Sequence, residues 1–134
     1  ATTDIAVTFP VFGEQEYAAD IHWVTTAGHA PPQRFVYLGG SGTLPFLDML
    51  SLAGDQLFLL DQRYSIPVTG IDLGEFGNPA LQLRHRTAAA GFGSLPRFET
   101  MIGVGVAVVF VRGEVQMNPA TGKARLAAGF TFSR

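Results

Sequence analysis

The pattern that most constrains this chain is an alternation of apolar and polar residues that recurs seven times and never yields to a helical period. In DQLFLLDQRYSIPV, residues 55–68, Phe58, Leu60, Tyr64, Ile66 and Val68 fall on one face and Asp61, Arg63 and Ser65 on the other. That two-residue period is the signature of a strand. NPALQLRHRTAAAG, residues 78–91, sets Leu81 and Leu83 against Gln82, Arg84 and Arg86. ETMIGVGVAVVF, residues 99–110, sets Ile102, Val104, Val106, Val108 and Phe110 against the small Gly103, Gly105 and Ala107. A tight turn is expected near Phe110 to Val111, after which VRGEVQMN opposes Val111, Val115 and Met117 to Arg112, Glu114, Gln116 and Asn118. The last stretch, 123–134, opposes Leu126, Phe130 and Phe132 to Arg125, Ala127, Gly129, Thr131 and Ser133. Two earlier strands are expected over residues 3–12, with Ile5, Val7, Phe9 and Val11, and 15–28, with Tyr17, Ile21 and Trp23 opposite Glu16, Asp20 and His22. The expectation is an all-β, antiparallel up-and-down transmembrane barrel of about eight strands, or a half-barrel completed by a second chain.

Composition explains why lipid enters this argument. The 134 residues are 47% apolar and only 15% charged, where soluble domains average about 25% charged. No window approaches the roughly 18 uninterrupted apolar residues of a membrane helix, so any crossing is made by strands. The chain has no cysteine, which excludes disulfides and thiolate metal sites, and its net charge of −2 offers no footprint for nucleic acid. It opens without a charged-then-apolar leader, so any signal peptide is expected to have been removed or to lie outside this sequence.

The charged residues fall on the faces opposite the apolar ones. Glu16, Asp20, Asp61, Glu99 and Glu114 share that side with Arg63, Arg84, Arg86, Arg112 and Arg125, while Lys123 is the single lysine. Matched carboxylates and guanidinium groups suit an enclosed polar interior, in which each ion needs a partner to offset its desolvation. Such a lumen network is expected of these ten residues. Alternation alone does not distinguish inside from outside, and a soluble β-barrel or sandwich binding an apolar small ligand stays open as an alternative. Aromatic positions favour lipid: Tyr17, Tyr64, Phe110, Phe130 and Phe132 are expected at one rim and Trp23, Phe92 and Phe98 at the other, as in an interfacial girdle.

The run LGGSGTLPF, then GDQLFLLDQRYSIPV, the glycine-punctuated IGVGVAVVFVRGEV and a phenylalanine-rich last strand together resemble the C-terminal barrel half of the bacterial surface antigen superfamily. These are outer-membrane proteins that include barrel-assembly and two-partner-secretion transporters. The resemblance covers roughly residues 34–134. It implies that the long loop, residues 28–54, folds into the lumen, with Gly39 and Gly40 matching the family's paired glycines and Phe46 its aromatic. Thr43, Leu44 and Pro45 stand where the family carries valine, arginine and glycine, so the arginine that tethers the loop is missing. Asp48 is expected to replace it as a charge-swapped tether to Arg84 and Arg86. An insertase-like scaffold or small pore is the implied role, in the bacterial outer membrane; the expected partners are the bilayer and, where the barrel is not closed within one chain, a second copy of it. No polypeptide-binding POTRA module fits within this sequence.

Catalysis is not expected. Gly39-Gly40-Ser41-Gly42-Thr43 fails the nucleophile-elbow pattern at its fifth position and lacks the lysine of a phosphate loop. His22, His29 and His85 are too dispersed for a local metal motif, with His85 expected on the lipid side near an end of its strand. No metal or cofactor is expected.

Overall fold

The computed structural model describes residues 1–26, 35–40, 44, 47, 51–109 and 111–130, with the backbone alone at Phe76. Among these residues nine strands form: β1 (Thr2–Pro10), β2 (Glu16–Thr25), β3 (Val36–Leu38), β4 (Leu52–Gly54), β5 (Gln56–Pro67), β6 (Ala80–Gly91), β7 (Glu99–Val108), β8 (Val111–Met117) and β9 (Ala124–Phe130). Seven of them make one antiparallel sheet in the order β1-β2-β5-β6-β7-β8-β9, and β3 pairs with β4 separately. Each expected strand is present to within three residues at its described ends. The protein is therefore all-β and antiparallel. Among the described residues no ladder joins β1 to β9, so the sheet is open rather than a closed barrel.

Three details differ from the sequence reading. First, where an eighth strand was sought in residues 33–38 or 44–52, the described residues form the short β3–β4 pair, which stands outside the main sheet. Second, Val108 pairs with Val111, so the chain reverses one residue earlier than expected, with Val109 at φ 44°. The run of apolar residues there erases the phase of the alternation, and a β-branched residue at positive φ is an outlier that sequence does not announce. Third, His85 pairs with Ile102 and Gln62 in the middle of β6, not near its end.

The register defines two faces. One carries Ile5, Val7, Phe9, Tyr17, Trp23, Phe58, Tyr64, Leu83, Ile102, Val104, Val106, Val115, Leu126 and Phe130. The other carries the charged residues, but only over part of its length. Toward the end where β2 connects to β5, this polar face turns apolar, through Val24, Leu57, Leu59, Ala88, Ala90 and Met101. Leu38 and Leu44 of the β2–β5 connection pack onto that patch and are buried there, joined by Val36, Leu47 and Leu52. The chain turns into this contact at Gly39 (φ 127°) and Gly40 (φ 82°), conformations that residues with a Cβ rarely adopt. Gly40 N–H donates to the Leu47 carbonyl at 3.0 Å and Leu47 N–H to that of Leu44 at 3.1 Å. The described part of the long connection thus lies on the polar face. Thr43, Pro45, Phe46 and Asp48 fall outside the described residues, whereas Gly39, Gly40 and Leu44 of the same loop motif are described.

Candidate functional site

Beyond the loop-covered patch, the polar face becomes ionic. Asp61 on β5 stands opposite Arg86 on β6, and Arg63 stands opposite Arg84. Arg84 in turn faces Gly103 on β7, and Gly105 faces Glu114 on β8. These glycines explain how charges two strands apart can meet. A Cβ on Gly103 would collide with the Glu114 carboxylate, and one on Gly105 with the backbone of Gly113 and Glu114. With hydrogens there instead, the Arg84 side chain approaches Glu114 across β7.

The resulting network is tight around Asp61. Its Oδ1 accepts from Arg84 Nε at 2.8 Å, and its Oδ2 accepts from Arg86 Nε at 2.8 Å and from Arg84 Nη2. Glu114 Oε2 lies 3.6 Å from Arg84 Nη1 and 3.8 Å from Arg112 Nε. Arg84 is only 7% exposed and Glu114 4%, burial that ions tolerate only with close counter-charges. Among the described residues, three buried polar atoms lack a hydrogen-bond partner: Arg63 Nε, Glu114 Oε1 and Gln116 Oε1.

All ten charged residues expected to share a face do so by ladder register, but they are not one cluster. Asp61, Arg84, Arg86, Arg112 and Glu114 converge. Glu99 sits apart, its Oε2 accepting from Asn118 Nδ2 at 3.4 Å. Asn118 Oδ1 also accepts from the backbone of Ala120 (2.9 Å) and Thr121 (3.2 Å), holding the β8–β9 turn. Glu16 and Asp20 on β2 are exposed, and Asp20 stands opposite Asp61 with like charge. Arg125 on β9 stands opposite Gln116. The acid found between Arg84 and Arg86 is thus Asp61 of the neighbouring strand, whereas the proposed tether Asp48 lies outside the described residues. Sequence reading missed the spanning role of Gly103 and Gly105, whose only signal was their smallness on a face otherwise bearing arginines.

The apolar face is the reverse of a soluble core. β7 is central, with β6 and β8 on its flanks, yet Val104 and Val106 are 48% and 50% exposed while Met101, Gly103 and Gly105 on its polar face are buried. At the end of the β1–β2 turn, Phe9 and Tyr17 stack at 5.1 Å, Tyr17 stands opposite Tyr64, and the Tyr64 hydroxyl meets Gln15. Phe130 lies at the same end, opposite Val111. At the other end Trp23 is exposed, Phe98 meets Phe58 edge-on at 5.7 Å, and Phe92 meets Phe35 at 4.9 Å. Phe110 and Phe132 lie outside the described residues. Midway, His85 on the apolar face bonds Gln62 at 2.9 Å, and His22 on the polar face pairs with Asp4; His29 lies outside the described residues.

No protein-family model, curated protein or solved structure matches the chain.

Proposed function

We propose that the chain forms part of the wall of a transmembrane β-barrel in the bacterial outer membrane, of the surface-antigen insertase or translocase kind, serving as a membrane scaffold or small pore. The apolar face meets lipid, the ionic face lines the lumen, and the connection between β2 and β5 plugs the lumen from one end.

A single observation carries this reading: the central strands expose their apolar side chains and bury their charged ones. In water that arrangement forfeits the hydrophobic contribution of the sheet and burdens it with ion desolvation. In a bilayer both terms reverse, because the exposed valines contact acyl chains and the arginines and acids neutralise one another away from lipid. A soluble barrel holding an apolar ligand would need the valine face turned inward. Strand lengths fit as well, since β1, β2, β5, β6 and β7 have 9 to 12 residues and a tilted crossing takes about 9–11. Both edge strands then need partners, because an unpaired backbone group in hydrocarbon costs several kcal/mol. A second copy of the chain or further strands supply them.

The test is a pair of arginine substitutions in protein refolded into vesicles and titrated with urea. Ile102→Arg, level with His85 midway along the apolar face, places a charge on the lipid side and is expected to cost about 2–4 kcal/mol near the midplane. Gln82→Arg, opposite Gly105 on the lumen side, is expected to cost clearly less. Equal tolerance of the two refutes the assignment of faces.

A further inference from the structure

We propose that the polar face between β6, β8 and β9 holds a binding site for a phosphate-type oxyanion. A cavity of about 380 Å3 lies there, lined by Arg84, Arg112, Gln116 and Arg125 with the small Ala127 and Gly129 of β9. Three guanidinium groups from three strands border it, and among the described residues no carboxylate does.

The guanidinium groups on this part of the polar face are unevenly engaged. Asp61 is taken up by Arg84 and Arg86, and Glu99 is held at the far end by Asn118. Glu114 is left to serve both Arg84 and Arg112, at 3.6 and 3.8 Å, too long for hydrogen bonds. Arg112 therefore borders the cavity with its donors unused among the described residues. A planar guanidinium fork matches two oxygens of an oxyanion, and a half-buried cation gains most from such a partner.

The site rests on the geometry of the polar face and not on what covers the apolar one, so it stands or falls separately from the arginine pair at Ile102 and Gln82. The test uses the full chain in maltoside micelles, titrated calorimetrically with inorganic phosphate and with a short-chain phosphatidic acid. Saturable phosphate binding is expected, weakened about tenfold or more by Arg112→Gln, the loss of a charge-assisted hydrogen bond. Arg97→Gln, on the exposed β6–β7 connection, is expected to leave it unchanged. Arg125→Gln gives a second reading on a strand-edge residue should Arg112→Gln fold poorly. Tighter phosphatidic acid binding with the same arginine dependence identifies a lipid headgroup as the source, and phosphate binding alone identifies the free ion. Absence of saturable binding by both, or equal binding by the Arg112→Gln and Arg97→Gln proteins, overturns the proposal.

Discussion

Removing the Asp61 carboxylate is the sharpest test of whether the ionic face is an enclosed interior. In Asp61→Ala, Arg84 loses the partner of its Nε (2.8 Å) and Nη2, and Arg86 loses that of its Nε (2.8 Å). Among the described residues the nearest remaining acid to Arg84 is Glu114, 3.6 Å from its Nη1 and already shared with Arg112. Hydrogen bonds to charged groups contribute about 1.5–3 kcal/mol each, but three around one carboxylate are not additive. The measured range for breaking a buried ion pair from one side, about 3–5 kcal/mol, is the better guide. The control is Asp4→Ala, which breaks the contact with His22 on β2, where the side chains are 69% and 42% exposed; an exposed pair is worth at most about 1 kcal/mol. Urea titrations of both variants in vesicles, followed by far-ultraviolet circular dichroism, give the two numbers. If Asp61→Ala costs no more than Asp4→Ala, water reaches the cluster freely and the enclosed-interior reasoning fails.

Three further outcomes are expected. Gly103→Ala puts a methyl group against the Glu114 carboxylate, whereas Gly113→Ala meets nothing within 4 Å; the first is expected to cost about 1–3 kcal/mol and the second to leave the urea midpoint nearly unchanged. Leu44→Ala, in the buried cluster under the β2–β5 connection, is expected to cost about 2–5 kcal/mol in the same titration and to speed proteolysis of that connection. Trp23 is the single tryptophan and lies exposed on the apolar face, so its emission is expected to shift to the blue in vesicles and to be quenched by brominated lipid; water-like, unquenched emission contradicts lipid contact at that rim.

How far the site was legible depends on the distance between its parts. Arg84, Arg86 and Asp61 could be assigned to one face because the apolar residues around them, Leu60 and Tyr64 on β5 and Leu81 and Leu83 on β6, keep the two-residue period. Their mutual contact could not, since it depends on β5 pairing with β6 in the register that sets Asp61 beside Arg86. A one-residue slip would have moved every one of them to the other face. The leucines on the polar face show the opposite failure. Leu57 and Leu59 interrupt the polar row of β5, and only the folded-back connection carrying Leu38 and Leu44 gives them a reason to be apolar.

What the sequence determined by itself is local: seven strands, the face on which each side chain falls, and the exclusion of membrane helices and disulfides. The period of two is fixed by the backbone pleat, so it reads directly from residue order. The tertiary structure decided what that order leaves free. Ladder register chose which ions meet, the glycines of β7 let Arg84 reach Glu114, and the path of the β2–β5 connection divided the polar face into a covered apolar end and an ionic remainder. It also left Val104 and Val106 exposed on a central strand, because nothing else in the described chain packs against that face. Those choices depend on contacts between residues far apart in the chain, which alternation within a strand does not encode.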